Sequence, residues 1–389
     1  TEEGCYRLEE SYADFERNSS ACLHHASVQS AFCDFVTTHT RRGKIKNNIA
    51  VIHGKYDSFS LFNRNTIWGM EGSEWRDSEK SWDMLHVFFP KAELDVVYRH
   101  DCPHEPTGFF TGTPYGLIDI IPDDADGSFI ARYPYVIMLG YNAADEDFVS
   151  RMLAYVEGGG TLLATLAHFT YELNHEKANS GMAKVCDCKA LRELCGCAEI
   201  ADTAEGQRIV TENGRPRIID RRVGKGRLIL FNTAVYPDHE SVREDYTAAI
   251  TRIAEKNAEA EREHGWLDAD GWVSTSVYDA EDRRTIYALN VNWWSDGEPE
   301  EKVTLHNAGY SYDLTVLRDC VNIVSVFGDT AFVTADMGTD IISYDGILRV
   351  QGREGDTVTV CRFGKTVQLK LSCDGVSEIA VENANRMCG

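Results

Sequence analysis

The 389-residue sequence is short of positive charge: 39 Lys+Arg stand against 62 Asp+Glu, a formal net charge of −23. An acidic surface repels phosphate backbones and anionic headgroups, so neither nucleic acid nor a membrane surface is an expected partner. Long apolar runs are also missing, and none approaches the ~20 residues needed to span a bilayer. Residues 1–10 are polar and acidic, without the basic and apolar regions of a secretory leader. The chain opens on Thr1 rather than Met, which fits a processed chain or a fragment. There is no internal repeat and no low-complexity tract. Cysteine is not scarce, but its 12 residues are spread along the chain rather than packed into a short disulfide scaffold. Reduced thiols and a cytoplasmic setting are therefore expected. What remains, 43% hydrophobic and 26% charged, is ordinary globular composition. The length suits two or three domains.

Residues 1–46 read as a helical segment and linker. Tyr12, Phe15, Phe32, Phe35 and Val36 form an apolar stripe. Arg41, Arg42, Lys44 and Lys46 follow as a solvated basic cluster. From 47 to 264 strands and helices alternate. Strands are expected at 48–54, 94–98, 135–140, 161–166 and 227–231. Helices are expected at 78–89, 145–156, 188–195 and 241–263. In the first of these helices Trp82, Leu85 and Phe89 supply the buried face, and Pro90 stops it. Short connections and nearly unbroken apolar strands argue for a doubly wound, mostly parallel sheet. After Gly265 helical periodicity disappears. Ten short β-rich runs, punctuated by Gly, Asp and Asn, suggest an antiparallel sandwich over 265–389.

Several residues carry candidate chemistry. Cys186, Cys188, Cys195 and Cys197 lie within twelve residues, but their spacing fits neither a usual zinc site nor a ferredoxin, and core thiols are the better reading. Gly158-Gly159-Gly160 follows a helix and precedes a strand, the reverse of a phosphate-binding turn, so it terminates the helix. Gly224-Lys225-Gly226 is likewise a turn. The strand at 161–166 leads into Ala167-His168 with no Ser or Cys and no strained nucleophile turn. His168 and His175 are read as surface or satisfied polar residues, since nothing fixes a partner. The long connection from Lys55 to Trp82 is a better candidate, because long loops on a rigid scaffold carry function. With His53 at its base it holds Tyr56, Asp57, Trp68, Glu71 and Trp75. Aromatic rings and carboxylates together suit a sugar, the rings stacking on apolar faces and the carboxylates accepting hydroxyl hydrogen bonds. A self-packed loop or a subunit contact is the competing reading.

Three segments together resemble clan-A β-galactosidases and related glycoside hydrolases. They are 135–163 (YVIMLGYNAADED followed by FVSRMLAYVEGGGTLL), the short helix 191–197 (LRELCGC) and the strand 224–231 (GKGRLILF). In that family such a region is a glutamine-amidotransferase-like, flavodoxin-like trimerisation domain, lying between a (β/α)8 catalytic barrel and a small β domain. The resemblance implies an α/β plus all-β fold: a flavodoxin-like doubly wound parallel sheet followed by an antiparallel β-sandwich. It also implies oligomer contacts, a carbohydrate substrate and a catalytic barrel supplied by the same parent or a partner chain. The position near Leu166, where true amidotransferases carry their nucleophilic Cys, has none. No eight-fold βα pattern is present, so no catalytic residue is assigned here, and neither a cofactor nor a metal is expected. The expected function is an accessory part of a carbohydrate-active enzyme, with substrate contacts from His53, Tyr56, Asp57, Trp68, Glu71 and Trp75. Two rivals stand beside it. One is an independent α/β hydrolase using His53, Asp57, His168 or His175, with or without a metal. The other is a stand-alone carbohydrate-binding protein with its ligand near Trp272, Trp293 and Trp294.

Overall fold

The structure, a computed structural model, describes residues 42–55, 57, 77–91, 112–171, 184–196, 218–292, 300–318, 320–335 and 338–381, scattered positions between 30 and 39, and the backbone of 211–212 and 215–216. The chain forms two compact units. One comprises 45–277 and 288–318, the other 1–44, 278–287 and 319–389.

Along the first unit run β1 (Ile49–His53), α1 (Asp77–Lys80), β2 (Ile118–Pro122), α2 (Gly127–Ile130), β3 (Tyr135–Met138) and α3 (Glu146–Gly158). They are followed by β4 (Thr161–Thr165), α4 (Lys189–Cys195), β5 (Ile218–Val223), β6 (Gly226–Phe231) and α5 (Arg243–Glu261). The strands lie side by side in the order β2-β1-β3-β4-β6-β5. Every neighbouring pair is parallel except β5–β6. Strand alternation explains why helices cover both faces. Ala50, Ile52, Val136, Met138, Leu162 and Ala164 enter one core, with α2, α3 and α4 above them. Ile49, Val51, Ile137, Leu139 and Leu163 enter the other, with Trp82, Leu85, Phe88 and α5 below. The sheet is thus doubly wound, and its strand order reverses between β1 and β3.

The segment 78–89 departs from the expected α-helix. After α1 it continues as a 3-10 helix over Ser81–Val87. A three-residue turn aligns positions i, i+3 and i+6. Trp82, Leu85 and Phe88 are therefore the buried set, and Phe89 is only half-buried. The strand expected at 94–98 lies outside the described residues. β2 and β5 had no counterpart in the sequence reading. β5 carries Asp220, Arg221 and Arg222 and pairs with β6 through the turn at Gly224-Lys225. The triple glycine behaves as expected. α3 ends at Gly158, Gly159 caps it at φ 128°, and a Cβ on Gly160 would fall 2.1 Å from the Tyr155 ring. At the other end of α3, Asp145 accepts the Phe148 N–H at 2.8 Å.

The remaining strands are antiparallel. β7 (Trp266–Asp268), β10 (Glu300–Asn307) and β11 (Tyr310–Leu317) form a three-stranded sheet in the first unit. Between them β8 (Val273–Asp279) and β9 (Arg284–Asn290) contribute residues to both units. In the second unit β12 (Asn322–Phe327), β13 (Thr330–Thr334), β16 (Thr357–Arg362) and β17 (Lys365–Lys370) pair in that order. A second sheet pairs β14 (Asp340–Tyr344), β15 (Ile347–Gly352) and β18 (Gly375–Ala380). Phe332, Val358 and Val360 of the one sheet and Ile341, Leu348 and Val350 of the other share one core, which makes the unit a sandwich. Arg42, read from sequence as part of a solvated cluster, instead makes a two-point ion pair with Asp340, both contacts at 2.8 Å. The fold is α/β plus all-β, and no helix among the described residues is long and apolar enough to cross a membrane.

Candidate functional site

In open doubly wound sheets ligands bind beyond the carboxyl ends of the strands where the order reverses. Here that place lies between the ends of β1 and β3, at His53-Gly54 and Leu139-Gly140-Tyr141-Asn142. Two glycines at neighbouring strand ends let other groups come close. A Cβ on Gly140 would stand 2.2 Å from Asp57 Oδ2 and 2.3 Å from Trp82 Nε1. The absent side chain is what admits this pair.

Asp57 is fully buried. Its backbone N–H donates to the Gly54 carbonyl at 3.0 Å, and its Oδ2 accepts the Trp82 indole N–H at 2.8 Å. Burial pushes its carboxyl up to about 8, opposed by the Trp82 hydrogen bond and assisted by the Glu79 carboxylate. At neutral pH Asp57 is therefore mostly a neutral acid. His53, half-buried at the end of β1, tilts against the Trp82 ring at 5.7 Å. Burial lowers its pKa and the Asp123 carboxylate works against that. Burial also raises Asp123 itself.

His168 lies in the 3-10 turn Leu166–Phe169 that follows β4 and is completely buried. The Thr165 N–H donates to its Nδ1 at 3.0 Å, so its Nε2–H donates to the Leu139 carbonyl, 3.1 Å away. Burial pushes its pKa down to about 4. Both ring nitrogens are thus engaged with backbone, and Tyr236 stacks edge-on at 5.4 Å. His168 is a satisfied structural residue, as its isolation in the sequence suggested. Tyr141, Ala167 and Tyr236 close the same strand ends with an apolar cluster.

Of the predicted sugar contacts, His53 and Asp57 come together around Trp82. Tyr56, Trp68, Glu71 and Trp75 lie outside the described residues, as do His175, Cys197, Trp293 and Trp294. Trp272 is half-buried, with the Lys91 ammonium 5.6 Å from its ring centre. Cys186, Cys188 and Cys195 belong to the core above β4, and Cys188 Sγ accepts the Leu191 N–H at the start of α4. Burial pushes the Cys186 thiol up to about 12, the state of an inert core thiol. Among the described residues no cluster of His, Cys, Asp or Glu is arranged to hold a metal ion. Sequence reasoning missed Glu79, Asp123 and Gly140. A glycine closing an apolar strand beside a second such strand was the available signal for Gly140.

The arrangement offers a neutral carboxylic acid and a neutral imidazole, each held by neighbouring groups. Among the described residues it offers no activated nucleophile at the strand ends. No family model and no curated protein matches the chain. Among solved structures it is similar to Gan42B, a GH42 β-galactosidase from G. stearothermophilus, at 13% identity and TM-score 0.42, over 72% of this chain and 40% of that one. It is similar to the β-galactosidase from Rahnella sp. R3 at 15% identity and TM-score 0.42, over 73% and 41%. It is similar to the β-galactosidase from Bacillus circulans sp. alkalophilus at 13% identity and TM-score 0.39, over 73% and 42%. The chain therefore spans about two fifths of the length of these proteins.

Proposed function

We propose that this chain is an accessory region, without the glycosidic catalytic residues, of a carbohydrate-active, β-galactosidase-like glycoside hydrolase. The observation that carries the reading is the blocked carboxyl edge of the sheet. Asp57, Trp82, His168 and Tyr236 fill it, and β4 runs into Leu166–Phe169 without a nucleophile. The architecture supports it, since a doubly wound sheet followed by an antiparallel sandwich is the order that the β-galactosidase resemblance implies. In this reading the paired carboxylates of glycosidic cleavage lie on a barrel outside this sequence. The loop beginning at His53 lends Tyr56, Trp68, Glu71 and Trp75 to a sugar cleft, and buried Asp57 anchors its base through Trp82. The α/β unit supplies oligomer contacts.

Two measurements test it. The natively purified particle is expected to contain a barrel-bearing polypeptide, by intact mass and chain identification. The isolated chain is expected to leave nitrophenyl β-galactoside intact. Glycoside turnover by the chain alone, abolished by a substitution within it, refutes the reading.

A further inference from the structure

The three-stranded sheet β7-β10-β11 carries a polar relay away from the strand ends described above. His306 on β10 sits directly opposite Ser311 on β11, and Asp268 on β7 lies one diagonal step away, opposite Thr304. Cross-strand partners place their Cβ atoms within about 5.5 Å, so this register brings all three side chains into reach on one face. Ser311 Oγ is 3.1 Å from His306 Nδ1, and His306 Nε2 is 2.8 Å from Asp268 Oδ2. Arg262 fixes the carboxylate from the end of α5, its Nη2 3.0 Å from the same oxygen. The Asp268 carboxylate holds the Nε2–H tautomer, which leaves Nδ1 free to accept the Ser311 proton. A hydroxyl within hydrogen-bond reach of a base that a third group orients is the geometry of an activated nucleophile. Beside it an open groove of about 670 Å³ is lined by Asp268, Lys302, Thr304, Asp313 and Thr315 among others.

We propose that Ser311, His306 and Asp268 form an acyl-transfer site for short-chain esters of hydroxylated alcohols, an activity distinct from glycosidic cleavage. Ser311 Oγ bonds to the ester carbonyl carbon as its proton passes to His306 Nδ1. The carbon–oxygen bond to the alcohol then breaks, and the imidazolium returns that proton to the departing alkoxide. Water, deprotonated by the same imidazole, releases the carboxylic acid and restores Ser311. The groove's hydroxyl, carboxylate and ammonium groups suit the alcohol portion. Ser311 stands exposed on the last strand of the sheet, so a long acyl chain has nothing to bury against. Water solvates the developing oxyanion, and the acceleration is that of a positioned base, about 10²–10⁴-fold.

The test is hydrolysis of 4-nitrophenyl acetate by the full chain, with mass mapping of acetylated peptides. The expected results are acetylation at Ser311 in the folded protein only and at least a ten-fold loss of rate in Ser311→Ala. His306→Gln should retain circular dichroism and lose both rate and acetylation. An unchanged rate in Ser311→Ala, or acetyl groups on histidine or lysine with none on Ser311, overturns the proposal. Nitrophenyl galactoside turnover is read separately, so this outcome and that of the accessory-region reading do not depend on each other.

Discussion

The contact between Asp57, Trp82 and Gly140 shows how a missing side chain can decide a site. The carboxyl and the indole occupy the space in which any Cβ at position 140 would stand. Gly140→Ala must therefore separate them, breaking a buried hydrogen bond while overpacking the strand end. Overpacking costs about 1–3 kcal/mol and an orphaned buried group a similar amount, so a loss of about 2–6 kcal/mol is expected in urea unfolding. Fluorescence is the suitable probe, because Trp82 is itself a partner in the hydrogen bond. A Gly140→Ala protein as stable as the parent would mean that the pair is not held as described. Asp57 itself was legible as a candidate from its place in a long aromatic loop. Its seal was not, because burial by a residue 25 positions later depends on tertiary packing that no local pattern records.

Elements were most legible where pattern and caps agreed. α3 is the clearest case: Asp145 begins it, Phe148, Met152 and Tyr155 face the core, and three glycines end it. β1, β3, β4 and β6 announced themselves as apolar runs, because a strand covered on both faces has no polar phase to hide it. β5 escaped notice because Asp220, Arg221 and Arg222 look like a loop. Its pairing is stabilised locally by the turn into β6 and by the Asp220–Arg227 ion pair at 2.6 Å. The 3-10 helix after α1 was misread because Trp82 and Leu85 satisfy both periods, and only the choice between Phe88 and Phe89 separates them. The Ser311–His306–Asp268 relay was invisible for a related reason, since it exists only once the register of three strands is known. A test at this scale concerns the end of α3. Gly160→Ala pushes the Tyr155 ring aside and with it the Oη–H bond to the Tyr133 carbonyl, 2.9 Å long, which ties the helix to the chain entering β3. A loss of about 1–3 kcal/mol is expected. In a Tyr155→Ala background the same substitution should cost well under half as much, because the obstructing ring is gone. Equal costs in both backgrounds would show that the helix end, not the ring, sets the requirement for glycine.

At the scale of the whole molecule, two buried titrating groups oppose each other across the pH range. Asp57 keeps its proton up to about 8 in the folded state, whereas an unfolded Asp loses it near pH 4. Its contribution is fully present below about pH 4 and is lost as pH rises toward 8, at about 1.4 kcal/mol per pH unit. His168 stays neutral down to about 4 when folded, whereas an unfolded His takes up its proton below about 6.5. Its contribution is present above about pH 6.5 and is lost as pH falls toward 4, with the same slope in the opposite sense. The two effects cancel between about pH 4 and 6.5. Above that His168 is saturated and only Asp57 continues, so their combined contribution falls by about 2 kcal/mol between pH 6.5 and 8. Asp57→Asn separates them, because an amide oxygen still accepts the Trp82 N–H but cannot titrate. The stability of the variant should rise by about 3 kcal/mol from pH 4 to 6.5 and then level off, apart from the surface carboxylates that titrate alike in both proteins. The difference between the two profiles, followed by tryptophan fluorescence in urea, isolates Asp57. Profiles that run parallel from pH 4 to 8 would mean that Asp57 ionises as an exposed carboxylate does, and that the carboxyl edge of the sheet is open to water rather than sealed.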